Sequence, residues 1–112
     1  MKVLFLLSLS LLTACGGNRQ CNDTCTRIYA EDQCFIRRAG ANQAELMERC
    51  NNECNDALDA GAGSLEGYDP YERTGSSVSI SLDNEVQATV WMECVSEQSC
   101  ERLEEGFCAP IW

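Results

Sequence analysis

Two copies of one spacing constrain this chain more than anything else in it: Cys21-Asn22-Asp23-Thr24-Cys25 and Cys50-Asn51-Asn52-Glu53-Cys54. Cysteines four residues apart lie on one face of a helix, one turn from each other. Each pair therefore reads as part of the buried stripe of an amphipathic helix. On a helical wheel Cys21, Cys25, Ile28, Tyr29, Phe35 and Ile36 gather on one side of a segment running from about 20 to 38. Leu46, Met47, Cys50, Cys54, Ala57 and Leu58 do the same in a second segment, about 43 to 60. Between them, Ala39-Gly40-Ala41-Asn42 supplies a stop and a start. Gly40 suits the left-handed residue that ends a helix, and Asn42 caps the next one with Glu45 three residues on. So short a connection makes the two helices antiparallel neighbours. The favoured pairing in such a hairpin is nested, Cys21 with Cys54 and Cys25 with Cys50, because both pairs centre near residue 37.5 and one register serves both.

Cys34 falls roughly opposite the buried stripe of the first segment, so its partner must pack on the back of that helix. The thiols available for it are Cys94, Cys100 and Cys108. Their segment carries Val86, Val90, Trp91, Cys94 and Val95 in a helical pattern, with Asn84 as a cap. Beyond Ser96 the pattern shifts face, which implies a helix of about 84 to 96, a bend, and a short helix near 99 to 105 ended by Gly106. Pairing among Cys34, Cys94, Cys100 and Cys108 has three solutions, and the spacing does not choose among them. Trp91 reads as core, while Trp112, after Ala109-Pro110-Ile111, is either a plug for the bundle or an exposed anchor.

Residues 61–83 are different in kind. Gly61-Ala62-Gly63-Ser64 and Gly75-Ser76-Ser77 are linker-like, Asp69-Pro70 is turn chemistry, and no cysteine lies between 54 and 94. Val78 to Leu82 alternates like a strand but has no second strand to pair with. The stretch reads as a long irregular loop, mobile or else ordered by Tyr68 and Tyr71, and it is where a binding function would sit.

The ninth cysteine is Cys15. Lys2 followed by the apolar run Val3 to Leu12 and then small residues has the layout of a secretory signal, and the run is too short to span a bilayer. Its ending, Leu12-Thr13-Ala14-Cys15, resembles the bacterial lipoprotein signal. That resemblance implies cleavage after residue 14, a diacylglycerol on the Cys15 sulfur and an acylated new N-terminus. Several acyl chains make a near-permanent anchor. Gly16 stands where an aspartate would retain such a protein at the inner membrane, so the resemblance favours the outer membrane. The expected organisation is a signal peptide at 1–14, a lipidated tether at 15–19 and a cysteine-rich helical domain at 20–112.

With Cys15 taken by lipid, the remaining eight cysteines are even in number, as a framework of four disulfides requires. Residues 15–112 need that framework. Leu, Ile, Val and Phe account for only 15 of those 98 residues, and seven arginines face 18 carboxylates. Such a composition would otherwise be read as disordered. The acidic balance also argues against nucleic acid or anionic headgroups as partners. Asp56-Ala57-Leu58-Asp59-Ala60-Gly61 lacks the alternating oxygens of a calcium loop, so calcium or a cationic ligand is an alternative resting on clustered carboxylates and the 61–83 loop.

The paired C-x3-C segments resemble the helical hairpins of the CX3C proteins of the mitochondrial intermembrane space, from which only the hairpin carries over. The full pattern, closing on Trp91-Met92-Glu93-Cys94, Cys100-Glu101-Arg102-Leu103 and Gly106-Phe107-Cys108, resembles the small cysteine-rich lipoproteins of myxobacteria and their relatives. It implies location and fold and no activity.

Catalysis finds little support. There is no histidine, the sole lysine is in the signal, and no C-x2-C pair exists for thiol redox work. Export favours disulfides over zinc, and the carboxylates Glu97, Glu101, Glu104 and Glu105 have no evident cleft for acid–base chemistry. The expectation is an all-α, disulfide-stapled antiparallel hairpin with a C-terminal helical segment, no cofactor and no enzymatic role. It is anchored to the envelope membrane through lipid and engages an envelope protein.

Overall fold

The computed structural model describes residues 16–74 and 80–112, and among these the chain is all helical. Helix α1 spans Gly16–Tyr29, α2 Gln43–Ala60, α3 Glu85–Glu97 and α4 Cys100–Glu105. The first three pack against one another in every pairwise combination. Four disulfides staple them. Cys21–Cys54 and Cys25–Cys50 join α1 to α2 in the nested, antiparallel register. Cys34–Cys100 ties the α1–α2 connection to α4, and Cys94–Cys108 ties α3 to the chain beyond α4. The last two bonds select one of the three pairings that spacing left open.

Helix α2 begins where local chemistry dictates. The Asn42 side chain accepts from the Glu45 N–H at 2.8 Å, and the Glu45 carboxylate accepts from the Asn42 N–H at 3.0 Å. Asn42→Ala removes an acceptor for an orphan helix donor and is expected to cost about 1 kcal/mol, read as a lower denaturation midpoint at unchanged slope. Asn84 and Ser99 cap α3 and α4 by accepting from the N–H groups of Gln87 and Arg102, without the reciprocal bond, and Gly106 closes α4 in the left-handed conformation. A Cβ on Gly106 would lie 2.3 Å from the Thr74 carbonyl, so that position excludes any side chain on two grounds.

Helix α1 departs from expectation at both ends. Among the described residues it starts at Gly16, so residues 16–19 of the segment read as a tether are helical, and it stops at Tyr29, nine residues before the expected end. The chain turns at 31–34 and doubles back along the helix end. There Ala30, Cys34 and Ile36 donate their N–H groups to the carbonyls of Thr26, Arg27 and Ile28. The Gln43 side chain supplies the last donor, to the Tyr29 carbonyl at 2.7 Å and also to Ile36 at 3.1 Å. All four terminal carbonyls of α1 are thereby satisfied without a terminating glycine. The helical period misleads here because Ile36 still reaches the core, by a return of the chain. Phe35 does not reach it: it is half-buried at φ 50° with the Arg37 guanidinium 5.4 Å from its ring. Gly40 has positive φ, as expected, but in the turn before Asn42 and not at a helix end.

The core consists of the hairpin stripe, Ile28, Tyr29, Ile36, Leu46, Trp91, Val95 and Leu103, interleaved with cystines. In α3 the buried residues are Gln87, Ala88, Trp91, Cys94 and Val95, while Val86 and Val90 sit at the flank. Arg27 of α1 reaches across to donate to the carbonyls of Val95, at 2.8 Å, and Gln98. It brings a cation to the C-terminus of α3, whose last turn carries no basic residue of its own. No helix among the described residues is long and apolar enough to cross a membrane.

Candidate functional site

Residues 61–74 of the loop after α2 are ordered, and α3 and the C-terminal segment order them. Gly61 accepts from the Glu85 N–H, and the side chains of Asn84 and Gln87 both donate to the Ser64 carbonyl. Gln87 also donates to Leu65 and accepts from the Asp83 N–H, so this buried amide has partners at both ends. Gly63 is needed at the crossing, because a Cβ there would meet the Asn84 side chain at 2.4 Å. Further along, Pro70 is buried and its carbonyl accepts from the Cys108 N–H at 2.7 Å, while the Thr74 N–H reaches Gly106. The side chain of Arg73 donates to Glu105, closing the end of α4. Of the strand-like stretch 78–82, Val78 and Ser79 lie outside the described residues, and Leu82 is buried in the core.

The C-terminal segment is the hub of these contacts. Its carbonyls accept from three aromatic donors on three different elements: Tyr68 to Ala109 at 2.5 Å, Trp91 to Pro110 at 3.0 Å, and Tyr29 to Trp112 at 2.9 Å. Trp112 meets the fully buried Trp91 edge to face, with ring centroids 5.6 Å apart. Of its two expected roles, Trp112 takes that of plug.

Loop, α3 approach and C-terminal segment together outline an open cleft of about 380 Å³. Glu66, Asp69, Glu72 and Asp83 line it, with Tyr68 and Gln87, and among the described residues no cationic side chain does. Among the described residues, no three Asp, Glu or Cys side chains converge closely enough to hold a metal ion. The Glu97, Glu101, Glu104 and Glu105 side chains are exposed at the end of α3 and on α4 and do not line this cleft. The eight cysteines of the framework are all bonded, and Cys15 lies outside the described residues.

All three tyrosines hold their protons more tightly than a free phenol. Burial pushes Tyr29 up to about 12. Burial, with Asp69 beside it, raises Tyr68 further. Tyr71 is exposed, and its hydroxyl is pushed up to about 12 by donation to the Glu97 carboxylate at 2.6 Å, with Glu93 and Asp69 adding negative charge. A phenol whose proton is held more tightly in the fold than in the unfolded chain stabilises the fold below about pH 10. That contribution disappears as pH rises through the folded value. Titration of tyrosinate absorbance should therefore show no step near pH 10, and the late step of Tyr29 and Tyr68 should coincide with loss of helical signal. In Glu97→Gln one tyrosine should return toward 10 while the protein stays folded.

Several residues of this region leave no mark in the sequence. Gln87 looks like an ordinary polar helix residue, and Arg27 and Gln43 look like solvated ones. Their signal is the carbonyls they satisfy, which belong to other elements. Compared with models of protein families, with curated proteins and with solved structures, the chain shows no match.

Proposed function

We propose that this chain is an exported, lipid-anchored protein of the bacterial cell envelope, acting there as a non-catalytic structural or protein-interaction module. One observation carries the reading. Every cysteine after Cys15 has a partner in the fold, so the odd thiol of the chain is the one that ends the apolar N-terminal run at Leu12-Thr13-Ala14-Cys15. Four disulfides support an oxidising compartment outside the cytoplasm, and a lone thiol there is best explained as the site of a lipid. Helix α1 begins at Gly16, so the anchor joins the hairpin without a long spacer and holds the domain close to the bilayer. Gly16 supports the outer membrane over the inner. Expression of the full chain in a Gram-negative host with an alkyne-tagged fatty acid tests this. Label should enter the chain and be absent from Cys15→Ser; an unlabelled parent, or a labelled variant, overturns the anchor.

The cleft favours a second reading, capture of a cationic molecule. Four carboxylates line it, and among the described residues no cation lines it with them. Melting with and without spermidine, and separately with calcium, distinguishes the readings: a rise in Tm with the polyamine supports capture, and no response leaves the interaction module.

A further inference from the structure

We propose that Cys34–Cys100 is a thiol-exchange site, opened by the dithiol form of an exported oxidoreductase and closed, by the reverse exchange, by its disulfide form, while the rest of the framework stays oxidised. The six cysteines of the other three bonds are fully buried, at 0% exposure each, within the core. Cys34 and Cys100 are the exceptions, both half-buried at the surface. Exchange proceeds by direct attack of a thiolate on sulfur, so access decides which bond reacts first.

The segments on both sides of the bond are held by other contacts as well. On one side, the 30–36 turn is held by its own hydrogen bonds to the end of α1, by the Gln43 side chain and by the buried Ile36. On the other side, α4 keeps its Ser99 cap, its buried Leu103, and the contacts of Arg73 and Thr74 with Glu105 and Gly106. The Arg27 bonds still join α1 to the end of α3. Opening Cys34–Cys100 therefore frees the connection at 30–42 and α4 from each other without removing either from the bundle. The other bonds lie inside the core and have no such independence.

The electron balance is that of dithiol–disulfide exchange. One thiolate of the oxidoreductase attacks one sulfur of the pair, forming a mixed disulfide and releasing the other cysteine as a thiolate, which takes up a proton. The second thiol of the oxidoreductase then attacks the mixed disulfide and releases the remaining cysteine. The dithiol loses two electrons and becomes a disulfide; Cys34 and Cys100 gain them and become two thiols.

A dithiothreitol series on the full chain, quenched with iodoacetamide and mapped by peptide mass spectrometry, is the test. Cys34 and Cys100 should alkylate together at a reductant concentration about tenfold below that needed for the other six, with helical signal retained. Labelling of any of those six at the same or a lower concentration overturns the proposal, as does loss of the fold in the first step. In the double variant Cys34→Ser, Cys100→Ser the early step should vanish and the later ones persist. An early step that survives in that variant is equally fatal. Because Cys15 is not one of the eight bonded cysteines, the result does not depend on whether it carries lipid.

Discussion

Complete reduction is expected to unfold this domain at room temperature. With only 15 large aliphatic or phenylalanine residues in 98, the apolar core cannot by itself offset the ordering of the chain. The bonds span separations of 14, 25, 33 and 66 residues. In the chain-entropy argument each such closure destabilises the unfolded state by about 3 to 4 kcal/mol. Nested loops share part of that restriction, so the four together contribute less than the sum. Even half the sum is comparable to the whole stability of a typical domain of this size, on the order of 5–15 kcal/mol. Excess reductant without denaturant should abolish the far-ultraviolet helical signal, and reoxidation should restore it. Retention of native helicity in a chain with eight alkylated cysteines would sink the idea that cystine replaces the missing core. The partial reduction at Cys34 and Cys100 is a milder event that leaves three bonds in place.

Trp91→Ala should be the most damaging single substitution that leaves the disulfides intact. The indole is fully buried, its N–H is the partner of the Pro110 carbonyl, and Trp112 packs against it. Truncation of a buried Trp costs about 3–5 kcal/mol through lost transfer energy and the cavity left behind. The unpaired carbonyl and the lost aromatic edge contact place this site at the upper end. In a domain of this length the loss lowers Tm by on the order of 20 °C. Trp91→Phe separates the parts: it keeps much of the volume and leaves Pro110 without a donor, at a cost of about 1–3 kcal/mol. Comparable Tm values for Trp91→Phe and the parent would show that the hydrogen bond contributes little and that packing alone holds the C-terminal segment.

The parts of the fold that were legible in the sequence are those set by short-range chemistry. A spacing of four marks the cysteine stripes of α1 and α2, Asn42 with Glu45 marks the start of α2, and Ser99 and Gly106 bracket α4. The nested register follows because two bonds related by one centre leave no freedom to slide. The end of α1 was not legible. Nothing between Tyr29 and Ala39 breaks a helix by composition, and Ile36 continues the period although the chain reaches it by turning back. The stopping signal is the set of donors from Cys34, Ile36 and Gln43 that take the α1 carbonyls, a tertiary arrangement. The order in residues 61–74 was hidden for the same reason. A glycine- and serine-rich stretch reads as a linker until Asn84, Gln87 and Cys108 are seen to occupy its backbone groups.

By itself the sequence determined the stapled helical class, the hairpin and its register, and the need for cystine where apolar mass is lacking, because all of these follow from periodicity, parity and composition. Only the tertiary structure decided which of the last four cysteines meet, where Trp112 goes and which disulfide is left near the surface. These depend on groups 14 to 83 residues apart coming within bonding distance, and no local pattern encodes that.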